Sequence, residues 1–366
     1  MGESGVVIDL GRLFADHEYL KQALAADSLQ LAAALQARRY PMIPREFVAQ
    51  YLEHLKREHL ENPQAARYLE SELGAPGRQA QFLGWLTAAG FRIAGRSCID
   101  VGCNNGSLAL ACAAAGARRV LGVDVSAPRL ASARELCRGT PVELRKLDIL
   151  EQDLPEEFDA VLCTDVLEHV PDPARMIRRL GELLGRRRGS FACVTLFNKL
   201  HPESVLSEPH YDVPGMVLLE HGQASRLWGR IRERYRSKLD YEVFHWHTWD
   251  EYAEMARRAG LRLRALGGRR RARAARRELR EFRRTFDELE VKLGQKLEAA
   301  PLTAEEREEL RDATTGYLAQ ARLEHEAWLR DPSPDRTHRL YYTYHAQPLV
   351  MILQRPGWID RVGLFR

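Results

Sequence analysis

The segment Cys98-Ile-Asp-Val-Gly-Cys-Asn-Asn-Gly-Ser-Leu108 constrains the fold of this 366-residue chain more than any other. Apolar residues lead into Asp100, a turn with Gly102 and Gly106 follows, and a helix-like Ala/Leu run starts at Ser107. A strand, a glycine turn and a helix start are the parts with which a sheet-based domain holds a nucleotide-like ligand. The spacing Asp-x-Gly-Cys-x-x-Gly differs from the Gly-x-Gly-x-x-Gly of dinucleotide binders. It therefore argues against a dinucleotide site.

Strand-like and helix-like segments alternate from Arg96 onward. Alternation of this kind specifies a mostly parallel sheet covered by helices on both faces, with ligands at the carboxyl ends of the strands. We therefore predict an α/β fold. The predicted strands are Ser97–Val101, Arg119–Val123, Val142–Lys146, Ala160–Thr164, Ser190–Leu196, Leu261–Leu266 and Leu349–Gln354.

Three other regions surround or interrupt this alternation. Residues 1–92 are predicted to form an N-terminal helical cap, because apolar residues recur there at helical spacing. The cap includes Leu20, Leu24, Leu29, Leu31 and Leu35.

The region from His201 to about Asp240 contains several prolines and is predicted to be an irregular, substrate-side insertion. The aromatic cluster His338–His345 offers both apolar surface and hydroxyl groups to an acceptor. An ordinary strand is the alternative interpretation of this cluster.

Residues 268–335 are predicted to be an inserted helical hairpin. Its first helix carries apolar residues at three-and-four spacing, as in a coiled-coil seam. Pro301 ends that helix, and Thr303 with Glu306 forms a capping box for the second. A homodimer through this hairpin is a hypothesis. The seam residues are Leu279, Phe282, Phe286, Leu289, Leu293 and Leu297.

The composition indicates the cellular compartment of the chain and the kinds of partner it can bind. The six cysteines all lie between residues 98 and 193 without a Cys-x-x-Cys pair, so we expect reduced core thiols and a cytoplasmic protein. No segment reaches the ~18 apolar residues of a membrane helix, so we expect no membrane contact. The formal net charge of +4 is too small to predict nucleic-acid binding for the chain as a whole.

Acidic residues lie at the ends of four successive predicted strands. Asp124 ends the second strand, 18 residues after Gly106, where a carboxylate can accept both ribose hydroxyl protons. Asp148 follows the third strand, where a carboxylate can accept from an adenine amino group. With Asp100 and Asp165, these residues place one acid at each of four strand ends.

On these motifs the chain resembles the class I S-adenosylmethionine-dependent methyltransferases, most strongly from Arg96 to Leu196. The resemblance implies a Rossmann-like, mostly parallel sheet with an antiparallel last strand, built from residues 93–267 and 336–366. It also implies S-adenosylmethionine as cofactor and S-adenosylhomocysteine as product. In that family the glycine turn approaches the methionine part of the cofactor, the second-strand acid holds the ribose, and the third-strand acid lies near adenine. The cofactor-binding residues implied by position are Asp100, Gly102, Cys103, Asn104, Gly106, Asp124, Val125, Asp148, Ile149, Thr164, Asp165 and Val166.

Asn104 stands where the family usually has a third glycine. Asn tolerates left-handed backbone geometry better than most residues. We therefore expect the turn to survive this departure.

Methyl transfer needs little chemistry from the protein, because the sulfonium already carries an activated methyl group. A hydroxyl acceptor would also need a general base. The preferred candidates are His247 and His245, with His169 as the third. The other candidates are His201, His210 and His345. A hydrogen-bonded structural role is the alternative interpretation of each. The predicted acceptor is a small molecule, by preference a specialised metabolite.

Asp165-Val-Leu-Glu-His169 raises a metal-binding alternative. Asp165, Glu168 and His169 would gather on the first helical turn after the fourth strand and bind a divalent cation. The other interpretation is that this segment simply begins a helix. We expect no metal.

The arginine run from Gly268 to Arg280 supports an RNA methyltransferase as a rival function, because arginines bind phosphates. No aromatic stacking platform accompanies these arginines, so a solvated helix face is the preferred interpretation. A non-catalytic, cofactor-binding assembly protein is the second rival.

Overall fold

The structure is a computed structural model, and it describes residues 8–41, 43–58, 60–61, 65–237 and 239–356. The chain divides into two compact units. The first holds the described residues up to Asp148 together with Arg236 and Ser237, and the second holds residues 149–235 and those from 239 onward. The boundary falls inside the predicted methyltransferase domain, and the predicted domain limits stay predictions.

The first unit begins with five helices. Asp9, Asp16 and Asp27 precede the first three and accept hydrogen bonds from their first-turn amides, which satisfies otherwise unpaired donors. Four of the five predicted leucines are buried, whereas Leu29 is exposed. The helices are α1 (Leu10–Ala15), α2 (His17–Ala26), α3 (Ser28–Arg38), α4 (Arg45–Glu58) and α5 (Ala65–Ala88).

Three parallel strands and two helices complete the first unit. The order is β1 (Ser97–Val101), α6 (Ser107–Ala114), β2 (Arg119–Asp124), α7 (Ala127–Leu136) and β3 (Val142–Lys146). Strand β2 pairs in parallel with both β1 and β3. Helix α5 packs on α6 and α4 packs on α7, so the N-terminal helices cover the helices of the sheet.

The second unit starts with further strand and helix alternation. It contains β4 (Ala160–Thr164), α8 (Pro173–Glu182), β5 (Phe191–Leu196), α9 (Pro202–Leu206), α10 (His221–Ile231), α11 (Trp249–Arg258) and β6 (Arg262–Ala265). Short 3-10 helices cover Leu167–His169 and Met216–Leu218. The last part holds α12 (Gly268–Ala274), α13 (Arg276–Arg280), α14 (Phe282–Ala299), α15 (Ala304–Arg330), α16 (Pro334–Tyr344) and β7 (Leu349–Gln354).

The seven strands form one mixed sheet in the order β3-β2-β1-β4-β5-β7-β6. Strand β7 runs antiparallel to β5 and β6. The predicted Rossmann-like sheet with an antiparallel last strand is therefore confirmed. All residues of β1 and β5 are buried, as expected for sheet strands covered on both faces.

The predicted helical hairpin is confirmed as α14 packed on α15. Thr303 and Glu306 form the expected capping box at the start of α15. All six predicted seam residues are buried, and they share one core with Trp228, Tyr317 and Trp328. The seam residues therefore pack into the hydrophobic core of the second unit.

The prediction of an irregular region from His201 to Asp240 is wrong in part. Helix α9, a 3-10 turn and α10 lie there, and Pro202 stands at the start of α9, where a missing amide hydrogen costs little. Pro209 and Pro214 lie in turns. The cluster His338–His345 belongs mainly to α16, so the alternative interpretation of it as a strand is wrong. Ser333 caps that helix and Pro334 occupies its first turn.

All six cysteines lie within the described residues, where they are buried and form no disulfide, as predicted for core thiols. Among the residues that the structure describes, no helix has the length and apolarity needed to cross a membrane.

Candidate active site

The glycine turn, residues 102–106, joins β1 to α6 in a backbone conformation that few residues adopt. Gly102, Asn104 and Gly106 have φ values of 73°, 49° and 82°, in the left-handed region that favours glycine and, among other residues, asparagine. Asn104 thus takes the conformation expected of it. The amides of Gly102 and Cys103 both donate to the Val123 carbonyl, at 2.8 and 2.9 Å. These bonds hold the turn against the end of β2.

Gly106 is also required by space. A Cβ atom at this position would lie 3.0 Å from Cys137 Sγ and 3.1 Å from Ala133 Cβ. Helix α7 therefore packs directly against the backbone at the start of α6. This close approach explains why the turn ends in glycine immediately before the helix.

Asp124 is fixed on the glycine turn by two main-chain amides. Its Oδ2 accepts from the Asn104 amide at 2.9 Å, and its Oδ1 accepts from the Ser126 amide at 2.8 Å. The residue is buried. Each carboxylate oxygen keeps a further lone pair, so the group can still accept hydrogen bonds from a diol.

Asp100 is buried, and its Oδ2 has no hydrogen-bond partner among the described residues. Burial raises the pKa of this carboxyl to about 7, and the charge of Asp124 adds to the rise. A buried polar atom without a partner is costly. Such an atom beside the glycine turn fits a polar ligand group.

The loop after β3 lies against the end of β2, because the Leu147 amide donates to the Asp124 carbonyl at 3.1 Å. This bond places Asp148, the next residue, beside the ribose candidate. Val125 is 59% exposed, which leaves apolar surface for a flat ring. Ile149 is buried in the second unit.

Asn105 and Glu72 were missed by sequence reasoning. The Asn105 Oδ1 accepts from the Ser107 amide at 3.0 Å and from the Ser107 hydroxyl at 2.6 Å. Its Nδ2 donates to the Glu72 carboxylate on α5. An Asn two residues before a helix start is the signal for the first contact, whereas the long-range partner has no local signal.

In the second unit, β4 ends at Thr164 and leads into a strained position. The Asp165 amide donates to the Thr195 carbonyl at 2.8 Å, and Asp165 has a φ of 53°. Thr164 and Val166 are partly exposed and Asp165 is exposed. The three predicted residues thus remain accessible at the end of the strand.

A histidine cluster follows, formed by His169, His210, His245 and His247 near the buried Glu168. The rings of His169 and His210 meet edge to face at 4.9 Å between centroids. Those of His245 and His247 stack at 5.3 Å. The Phe244 amide donates to the Glu168 carbonyl at 2.8 Å, which fixes the segment 244–247 beside the 3-10 turn.

Glu168 is the most buried charged group of this cluster, with an exposed fraction of 0%. Neither of its carboxylate oxygens accepts a hydrogen bond from the residues described. Burial raises its pKa to about 8, and the charge of Asp165 adds to the rise.

The three predicted catalytic histidines have different surroundings. His169 Nδ1 donates to the Glu242 carbonyl at 3.0 Å, and His245 Nε2 donates to the Pro171 carbonyl at 3.1 Å. His247 lies 3.7 Å from the Glu251 carboxylate, and burial lowers its pKa. His210 is a less favoured candidate for the general base, yet it belongs to the same cluster.

Comparison with known proteins agrees with this geometry. Residues 99–193 match a family model described as a methyltransferase domain. The chain is 46% identical over 89 residues to a ubiquinone biosynthesis O-methyltransferase of Methylococcus capsulatus, covering 23% of this chain and 37% of that protein. It is 43% identical over 90 residues to the protein of the same name from Pseudomonas fluorescens, covering 24% and 38%. The chain thus spans less than two fifths of these curated relatives.

Solved structures give weaker likenesses. One is an S-adenosylmethionine-dependent methyltransferase from Mesorhizobium loti, with a TM-score of 0.38, 22% identity, and coverage of 50% of this chain and 82% of that one. Another is magnesium protoporphyrin IX methyltransferase from Synechocystis, with a TM-score of 0.38, 19% identity, and coverage of 65% and 90%.

The fold, the glycine turn and the sequence matches define one class of protein. Residues 99–193 belong to the class I S-adenosylmethionine-dependent methyltransferases, and S-adenosylmethionine is the cofactor of that class.

Proposed function

We propose that this protein transfers a methyl group from S-adenosylmethionine to an oxygen atom of a small-molecule acceptor. The observation that carries the proposal is the Asp124 carboxylate, buried and fixed on the glycine turn within a segment that matches a methyltransferase domain. The names of the curated relatives, ubiquinone biosynthesis O-methyltransferase, support oxygen as the acceptor atom and a small molecule as the substrate.

The residues of the glycine turn fit the cofactor. Asp124 would hold the ribose, Asp148 and Val125 would lie at the adenine, and Asp100 with the turn would face the methionine part. The cofactor supplies a methyl group activated by a sulfonium. The Asp100 Oδ2 without a partner suits a polar group such as an amine, since buried polar atoms need hydrogen-bond partners.

His247 is the proposed general base for the acceptor. Burial lowers its pKa, so the ring is neutral near pH 7 and can take a proton from a hydroxyl group. The Glu251 carboxylate, 3.7 Å from Nδ1, stabilises the ring once it is protonated. His245 stacks on His247 and limits its movement.

The first experiment measures S-adenosylmethionine binding by calorimetry, followed by an assay with a panel of phenols, catechols and sugars. Product formation is read by mass spectrometry. We expect a methylated product that His247→Gln reduces by about 100-fold, within the range typical of general-base catalysis. His54→Gln, an exposed position on α4, is the matched control and should keep full activity.

The same assay distinguishes the rival functions. Binding of the cofactor without methylation of any acceptor, even in single-turnover reactions, would favour a non-catalytic assembly protein. Methylation of RNA but not of small molecules would favour an RNA methyltransferase, with the exposed arginines Arg270, Arg271, Arg273, Arg277 and Arg280 as its phosphate contacts. Either result would contradict the proposal.

A further inference from the structure

We propose that a groove in the N-terminal helices binds a phosphorylated small molecule of about the size of a nucleoside diphosphate. The groove has a volume of about 600 Å³, within the range of pockets that hold small-molecule ligands. It belongs wholly to the first compact unit, and its ligand does not depend on the proposed methyl transfer. This arginine groove is lined by Arg39, Tyr40, Arg67, Glu70, Ser71, Gly74 and Arg78.

The lining of the arginine groove is basic. Three arginines and one glutamate contribute to it, which is a formal excess of two positive charges. The glutamate, Glu70, forms an ion pair with Arg39. A concave surface lined by charges of one sign attracts ligands of the opposite sign, and a phosphate group carries about two negative charges at neutral pH. The charge of the groove therefore matches a phosphate better than a single carboxylate.

Arg78 is held along α5 by a residue of the preceding helical turns. Its Nη2 atom donates to the Ser71 carbonyl at 2.5 Å and to the Ser71 hydroxyl at 3.2 Å. No carboxylate of the described residues forms an ion pair with Arg78. Since a guanidinium carries several N–H donors, the group keeps donors for an anion while its position is fixed.

Gly74 provides the space for this arrangement. It lies between Ser71 and Arg78 on α5, and a Cβ atom at this position would lie 2.7 Å from Arg78 Nη1. A side chain of any other residue would therefore displace the guanidinium. Glycine is less favourable than alanine inside a helix, so the packing of Arg78 gives a physical reason for glycine here.

Arg39 and Tyr40 add two further donors to the arginine groove. The Arg39 guanidinium lies over the Phe14 ring, 4.2 Å from its centroid, which limits its movement. Burial raises the pKa of Tyr40, and the charges of Arg39 and Arg78 oppose the rise, so a protonated hydroxyl lies near both guanidiniums. Phosphate oxygens accept from hydroxyl groups, and the planar guanidinium matches a phosphate with two parallel hydrogen bonds.

The test is a titration of the full-length protein with inorganic pyrophosphate and with uridine 5′-diphosphate, followed by calorimetry. Neither probe contains adenine, and neither S-adenosylmethionine nor an acceptor is present, so failure of methyl transfer leaves the result unaffected. We expect one site per chain for both probes, with uridine 5′-diphosphate bound at least as tightly as pyrophosphate. Binding should weaken as NaCl rises from about 20 to 200 mM, because salt screens exposed charges.

Arg78→Gln should weaken the binding of both probes by about 10–100-fold, because it removes hydrogen bonds between charged groups. Arg92→Gln is the matched control and should bind as the wild type does, since Arg92 is an exposed arginine of the same unit outside the lining. Gly74→Ala keeps every charge but displaces the guanidinium of Arg78, and it should weaken binding by about 10-fold, the value of one such bond. Gly77→Ala has nothing within 4 Å of its added Cβ atom and should leave binding unchanged.

Absence of saturable binding of both probes by the folded wild-type protein at low salt would overturn the proposal. Binding of pyrophosphate without uridine 5′-diphosphate, or equal affinities of Arg78→Gln and the wild type, would overturn it as well. Loss of binding when S-adenosylmethionine saturates the protein would show that the probes occupy the cofactor site instead. Circular dichroism checks the folding of each variant; if Arg78→Gln does not fold, the comparison of Gly74→Ala with Gly77→Ala decides.

Discussion

His325 on α15 and His345 after α16 form a buried hydrogen bond, with 2.7 Å between their Nε2 atoms. His325 Nδ1 donates to the Ala321 carbonyl at 2.6 Å, so its Nε2 must accept and His345 must donate. His345 Nδ1 faces Glu278 at 3.4 Å. The pair therefore connects three helical segments of the second unit, and it requires a neutral His325.

Acid should destabilise this pair. Burial lowers the pKa of His325 to about 3, and the charge of His345 lowers it further, whereas the unfolded value is about 6.5. Between these values the unfolded chain binds more protons, so stability rises with pH. The contribution is fully present above about pH 6.5 and is lost as the pH falls toward 3. It is on the order of 5 kcal/mol.

Chemical denaturation at several pH values checks this expectation. In His325→Gln the amide keeps a hydrogen-bond acceptor for His345 but does not titrate, so the fall in unfolding free energy between pH 6.5 and 4 should flatten. His54→Gln should keep the wild-type slope. An unchanged slope in His325→Gln would show that other groups cause the acid sensitivity.

Asp124→Ala should weaken S-adenosylmethionine binding by about 100-fold or more. Hydrogen bonds to a charged group are each worth about 1.5–3 kcal/mol, and the proposed ribose contact has two. The control is Asp172→Ala, which removes another carboxylate that accepts from a main-chain amide, at the start of α8. Both affinities for S-adenosylmethionine are measured by calorimetry. Equal affinities of the two variants would show that Asp124 does not hold the ribose.

The strands and the glycine turn were predictable because local sequence determines them. Strand β3 has the predicted limits, Val142–Lys146, and Asn104 has the expected left-handed backbone. Helix α16 was not predicted, and the alternative interpretation of its tyrosines was a strand, although Ser333-Pro-Asp335 is a helix-start signal. In that case the capping residues carried more information than the aromatic composition.

The histidine cluster could be predicted only in part. His169, His245 and His247 were identified from their places after β4 and before α11. The sequence did not place His210 near Glu168, because the approach of these two residues depends on how α9 and the following turn fold back. That arrangement comes from tertiary packing around Val205, Val213 and Met216, which are fully buried, and no sequence spacing encodes it.

Gly106→Ala should lower the free energy of unfolding by about 2–5 kcal/mol. A left-handed backbone costs a non-glycine residue roughly 1–2 kcal/mol, and overpacking adds about 1–3 kcal/mol. Gly139→Ala separates the two causes, because Gly139 has a φ of 75° but nothing within 4 Å of an added Cβ. Urea denaturation should give the smaller loss, about 1–2 kcal/mol, for Gly139→Ala. Equal losses would exclude the clash with Cys137 and Ala133.

Leu293→Ala should destabilise the second unit far more than Val291→Ala, although both lie on α14. Leu293 is 2% exposed within the hairpin seam, whereas Val291 is 60% exposed. Removing a buried leucine side chain leaves a cavity and costs about 2–5 kcal/mol, while exposed substitutions stay within about 0.5 kcal/mol. Sedimentation of both variants adds a second readout, since a dimer built on the exposed face would dissociate in Val291→Ala alone. Equal stability of the two variants in thermal denaturation would mean that the seam contributes little to the core.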